Sequence, residues 1–274
     1  MLKSRLLTAF LIGPLVLWAI YAMPENLFAL LSLILVSIGA WEWAAFAGWV
    51  KPFQRGIFIA ANILLFITIL FLQNFELNII ILLASLLWWL ICIPLLVLFP
   101  FKENNILHTR LVKTLVGIVL LLGTLVAMLL LRNNPDYGSE FVLYLILTIW
   151  FADSGAYFAG RALGKTKLMP NVSPGKTWEG VAGAIAITLI GSSAALYVLN
   201  IPSEQSFYFI FLAVVTVAYS IVGDLSESMF KRMANLKDSG NLLPGHGGIL
   251  DRIDSLMSGF PIFVAGLWLM EQLA

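Results

Sequence analysis

The sequence predicts an all-α polytopic membrane protein of about nine transmembrane helices. Three observations carry that prediction. Of 274 residues, 61% are hydrophobic and only 11% charged, with a mean hydropathy of +0.96, far outside the range of soluble globular chains. Several apolar stretches reach or approach the ~20 residues a helix needs to cross a bilayer. These stretches are continuous rather than alternating, which favours helices over a lipid-embedded barrel.

In chain order the expected spans are 6–22, 27–48, 57–72, 78–99, 112–131, 141–160, 179–199, 207–222 and 256–273. The first follows Lys3 and Arg5 and mimics a signal peptide, but Pro14 interrupts it and no Ala-x-Ala site follows. Placing the N-terminus in the cytoplasm puts fifteen of the sixteen basic residues inside and leaves Arg132 alone outside. That asymmetry supports both the span count and the orientation. The first five spans (1–135) read as scaffold. The last four (136–274), with the cytoplasmic loops 161–178 and 223–255, read as the catalytic region, so the active site is expected on the cytoplasmic side.

Composition also excludes several classes. Cys92 is the single cysteine and lies in an apolar run, so no internal disulfide forms. Two histidines and one cysteine are too few for a structural zinc site. A net charge of +1 without a basic arm gives no sign of a nucleic-acid partner.

Carboxylates at membrane depth are costly unless paired or facing water, so they mark candidate sites. Glu42 lies between Trp41 and Trp43, and reads more readily as a buried structural partner. Asp153 sits among Ala152, Ser154, Gly155, Ala156 and Gly160, small residues that let a helix or ligand approach. Glu179 opens the seventh span and Asp224 closes the eighth. Between them, Ser173-Pro174-Gly175-Lys176-Thr177 reads as a phosphate-binding turn feeding a helix near Trp178. It is not a Walker A loop, because Pro170 stands where that motif needs glycine.

The stretch 223–255 carries nine of the chain's formal charges: Asp224, Glu227, Lys231, Arg232, Lys237, Asp238, Asp251, Arg252 and Asp254. Asp224 with Glu227, and Asp251 with Asp254, are each three apart and share a helix face. Two such pairs suit Mg²⁺, which takes one or two protein carboxylates and completes its shell with water and substrate phosphates. Lys231, Arg232 and Lys237 would neutralise phosphoryl charge. Pro244-Gly245-His246-Gly247-Gly248 offers approachable amides, with His246 as a further donor. The plainer alternatives are an i,i+4 ion pair for Glu227 and Lys231, and a helix-start cap for the Asp251–Asp254 run.

The run from Ser228 through Lys231-Arg232, Lys237-Asp238-Ser239-Gly240 and Pro244-Gly245-His246-Gly247-Gly248 to Asp251-Arg252-x-Asp254 closely resembles the signature of the phosphatidate cytidylyltransferases. The likeness extends to Asp153-Ser154-Gly155-Ala156-Tyr157, Ser173–Thr177 and Gly223-Asp224. It implies that CTP and phosphatidic acid give CDP-diacylglycerol and pyrophosphate, with Asp224 and Asp251 as Mg²⁺ ligands and a second cation such as K⁺ sharing the site. It further implies a homodimer in the bacterial inner membrane. On this reading Lys176, Lys231, Arg232, Lys237, Asp238, His246 and Asp254 are catalytic, while Asp153, Ser173, Thr177, Gly245, Gly247, Gly248 and Arg252 join Lys176 in binding substrate. The rivals are a CTP-dependent kinase of a polyprenyl or long-chain alcohol and an ion-coupled transporter. A CDP-alcohol phosphotransferase needs a DxxDGxxAR…GxxxDxxxD motif that the chain lacks.

Overall fold

The structure is a computed structural model that describes residues 13–273 apart from 73, 103, 136, 241 and 243–246, without the side chains of 271–273. A helical segment over 13–21 (α1) leads into α2 (Glu25–Phe46), α3 (Pro52–Leu72), α4 (Phe75–Leu98), a 3-10 turn (Ile106–His108) and α5 (Arg110–Arg132). Then come α6 (Gly138–Leu163), strands β1 (Lys167–Met169) and β2 (Ser173–Thr177), α7 (Trp178–Val198), α8 (Ser203–Met233) and α9 (Leu250–Leu273). Eight helices, α2 to α9, are long and apolar enough to cross a membrane. The first expected span, 6–22, falls partly outside the described residues and is seen as helix over 13–21.

Three boundaries differ from expectation by five residues or more, each for a local reason. Helix α3 starts at Pro52, since proline suits a first helical position, where no amide partner is needed. Helix α8 continues past Val222 to Met233, because Leu225, Met229 and Phe230 keep an apolar face buried beneath the charged one. Phe230 packs against Trp43 and Trp88, with ring centroids 4.8 and 6.1 Å away. Helix α9 begins at Leu250 rather than near 256. The stretch 223–255 is therefore no loop: helix occupies both ends, and only 234–249 connects them. At 31 residues α8 is about 47 Å long, more than the ~30 Å hydrocarbon layer requires. The loop after α6 also departs from an all-helical chain, because β1 and β2 pair as an antiparallel hairpin with Lys167 opposite Thr177 and Met169 opposite Ser173.

Two buried clusters hold the bundle. One gathers Trp43, Phe46, Leu121, Leu125, Phe230 and Leu250; the other stacks Phe141, Tyr144, Phe209 and Phe263. Both draw on helices from before and after residue 135. Large apolar side chains such as Phe71, Leu90 and Val97 on α3 and α4 point outward, as lipid-facing surfaces do.

Small residues set the crossings that position the polar end. A Cβ on Gly155 would lie 2.8 Å from the Gly183 carbonyl oxygen, and one on Gly183 2.7 Å from that of Gly155, so α6 and α7 touch backbone to backbone. A Cβ on Gly223 would come within 2.6 Å of the Asp254 carbonyl oxygen. Gly223 thus marks a close approach of α8 and α9, not the end of a helix.

The start of α9 is held from a distance. Glu42, buried near the end of α2, accepts the amides of Ile249 at 3.0 Å and Leu250 at 2.8 Å. A carboxylate there satisfies amides that have no partner within the helix and complements its positive end.

Candidate active site

The last turns of α6, the hairpin, the start of α7 and the middle of α8 enclose a cavity of about 420 Å³. Asp153, Tyr157 and Arg161 line it from α6, Lys176 from β2 and Asp224 from α8. The α6 residues are four apart and share one helix face. Lys176 Nζ lies 2.7 Å from Asp224 Oδ2, and Asp153 feels the charge of both. Arg161 Nη1 donates to the Tyr157 hydroxyl at 3.1 Å.

The segment expected to form a phosphate-binding turn is a strand in the structure, ending in a helix cap. Helix α7 begins at Trp178 as the sequence predicts, with Thr177 Oγ1 accepting the Gly180 amide at 3.2 Å. Lys176 and Thr177 both line the cavity, Thr177 buried with its hydroxyl capping α7, whereas Ser173 is partly buried opposite Met169 and lies outside the lining.

A second cluster adjoins the first across α8 and α9. Lys231 Nζ lies 2.7 Å from Glu227 Oε2 and 2.6 Å from Asp251 Oδ1. The i,i+4 pair forms, and a third group shares its lysine. Asp251 Oδ2 accepts the amides of Ser239 at 3.0 Å and Gly248 at 2.8 Å. Ser239 Oγ lies 3.0 Å from that oxygen and 2.8 Å from Glu42 Oε2, so its one proton serves a single carboxylate at a time. Asp251 therefore also braces the helix start, and the Gly248 amide expected to face phosphate is directed at it. Asp254 feels Asp224, Glu227 and Lys176, which joins the two clusters.

The remaining expected residues spread more widely. Arg232 is exposed and donates from Nε to the Val172 carbonyl at 3.4 Å, tying α8 to the hairpin. Lys237 and Asp238 are exposed on the connection between α8 and α9. Gly247 has φ of +84°, a conformation that favours glycine, close against Asp251. Arg252 is exposed and lines a different cavity, bordered by α1, α2, α5 and α6. Gly245 and His246 lie outside the described residues.

Five carboxylates (Asp153, Asp224, Glu227, Asp251, Asp254) thus adjoin two ammonium groups, Lys176 and Lys231. Glu227 Oε1 is buried with no hydrogen-bond partner among the described residues. Excess negative charge and an orphaned carboxylate oxygen fit a divalent cation. Among the described residues no three ligating side chains form a ready-made metal cage, which suits an ion that takes few protein ligands and shares its shell with phosphates.

Arg161 and Ser239 carry more of the architecture than the sequence reading assigned them. Arg161 follows Asp153 and Tyr157 at helical spacing, a signal available in the sequence. Ser239 joins Glu42 to Asp251 across about two hundred residues of chain, and no local pattern announces that.

The family is shown by comparison. The sequence profile of the cytidylyltransferase family matches residues 3–270. The chain is 39% identical over 268 residues to the phosphatidate cytidylyltransferase of Pseudomonas aeruginosa, covering 98% of this chain and 97% of the relative. It is 37% identical to that of Haemophilus influenzae over 284 residues, covering 96% and 97%. The Bacillus subtilis enzyme is 46% identical over 134 residues, 48% of each chain. The chain belongs to the cytidylyltransferase family.

Proposed function

We infer that the protein transfers the cytidylyl group of CTP to phosphatidate, giving CDP-diacylglycerol and pyrophosphate. The observation that supports this most directly is the cavity at one end of the bundle, where Lys176 and Asp224 meet Asp153 among membrane-length helices. A phosphate headgroup can enter there while its acyl chains stay among lipids. A phosphatidate oxygen attacks the α-phosphorus of CTP, the bond from that phosphorus to the bridging oxygen breaks, and pyrophosphate leaves. No side-chain nucleophile is needed, so positioning and charge neutralisation carry the catalysis.

Lys176 is a cation at the cavity wall that can exchange Asp224 for an incoming phosphate oxygen. Lys231 keeps a fixed ammonium between Glu227 and Asp251. Mg²⁺ held by Asp224 and Asp251, with a second cation such as K⁺, would draw negative charge from the phosphates. To take a cation, Asp224 would release Lys176 from Oδ2 and a long hydrogen bond from the Ser228 hydroxyl to Oδ1, whereas Asp251 would yield Oδ1 from Lys231, with Asp254 and Glu227 close behind. Lys237 is proposed to hold phosphates, with Asp238 and His246 completing the CTP site; Arg232 braces the hairpin. The test is purified protein with phosphatidate, CTP and Mg²⁺. Pyrophosphate and CDP-diacylglycerol appearing together, and stopping with a chelator, support the reading; neither appearing would overturn it.

The same reading places the protein in the bacterial inner membrane as a homodimer, with this end of the bundle in the cytoplasm. Cys92 is the lone cysteine and is fully buried, so labelling background is low. A Lys237→Cys variant is expected to react with a membrane-impermeant maleimide in inside-out vesicles and to stay unlabelled in intact spheroplasts. The reverse pattern would invert the orientation.

A further inference from the structure

A second cavity, of about 380 Å³, runs between α1, α2, α5, α6 and α9. On α6 its wall is Val142, Ile146 and Trp150, and the same helix face continues through Asp153 and Tyr157 into the polar cavity. On α9 its wall runs from Arg252 through Leu256 to Phe260. Eight residues of helix on each wall give a depth of about 12 Å. The far end is closed by Phe28, Val142 and Phe260, all buried. Exposed Leu15, Leu35, Trp150 and Arg252 frame the opening. Among the described lining residues Arg252 alone is charged, and it stands in the first turn of α9.

We propose that this cavity seats one acyl chain of the phosphatidate whose headgroup occupies the Asp153–Lys176–Asp224 cavity, with Arg252 at the mouth facing its phosphate–glycerol end. The proposal rests on the reading of the site as a phosphatidate cytidylyltransferase and extends it to the lipid's tail. Two features commit the cavity to this occupant rather than to any bilayer lipid. One is the continuous α6 face that joins it to the polar cavity. The other is a cation where an anionic headgroup meets an otherwise apolar wall. Lipid tails are as apolar as these side chains, so moving a chain from bilayer to cavity yields little hydrophobic gain. Fit, not transfer energy, therefore does the selecting.

The test uses the full-length protein in liposomes of phosphatidylethanolamine and phosphatidylglycerol, without CTP. A phosphatidate probe carries a diazirine midway along one chain. After irradiation, cross-links are expected on α2, α5 and α9 at the lining residues. Phosphatidylethanolamine bearing the same diazirine should label those sites at least tenfold less. Ser32→Phe, which fills the cavity from α2, should lower phosphatidate cross-linking there at least tenfold. Ile146→Ala, which enlarges it, should preserve the labelling and guards against a folding defect in the first variant. Equal labelling by both probes, or labelling spread over the outward faces of α3 and α4, overturns the proposal. Because no CTP is present, this outcome is separate from the failure of the activity itself, which shows as a wild-type protein that makes no CDP-diacylglycerol.

Discussion

Asp224→Asn is expected to lower cytidylyl transfer by about 10²–10³-fold, mainly in kcat, while the protein stays folded. Asp224 lies at the junction of the two polar clusters: it pairs with Lys176 and feels Asp254 across the α8–α9 contact. Asparagine keeps its shape but removes the charge that would hold a cation against the phosphates. The side chains of Lys176 and Asp224 are 26% and 32% exposed, so losing their ion pair costs roughly 1 kcal/mol or less. Kinetics with CTP and phosphatidate, beside a thermal midpoint, check both halves. Near-normal turnover would remove Asp224 from the chemistry.

Lys231→Met is expected to be the most destabilising single change at the site, by about 3–5 kcal/mol, because it leaves two buried carboxylates uncompensated. The Glu227 and Asp251 side chains are only 3% and 11% exposed. Asp251 also receives the Ser239 and Gly248 amides, so the disturbance reaches the start of α9. Adding Glu227→Gln should recover part of the loss, since it removes one of the two stranded charges. The measurement is unfolding in detergent of wild type, single and double variants. A single variant as stable as wild type would show that Lys231 does not hold this cluster. Asp251→Asn is harder to interpret, because the same carboxylate braces a helix and faces the site.

The bundle was legible because hydropathy alone encodes membrane-length helices, and α2 to α9 lie where apolar runs put them. Charged residues hid the continuation of α8: Asp224, Glu227, Lys231 and Arg232 look like a loop until Leu225, Met229 and Phe230 are seen as its buried face. The hairpin escaped notice because three- and five-residue strands holding proline, glycine and lysine have no periodic signal. In the candidate site, the residue types and spacings of Asp153, Lys176, Asp224 and Lys231 could be read directly, and the structure brings them to one end of the bundle. Their partners could not be read. Which carboxylate faces which lysine depends on helix crossings at Gly155, Gly183 and Gly223, and on Glu42 reaching α9 from α2. These are tertiary facts with no local pattern.

The fate of label from CTP tests the central claim most directly. Purified protein is given phosphatidate or a long-chain alcohol, with CTP labelled at either the α- or the γ-phosphorus. The account predicts that with phosphatidate the α-label enters lipid and the γ-label leaves as pyrophosphate in equal amounts, while the alcohol yields nothing. Transfer of the γ-label to lipid with release of CDP would contradict it.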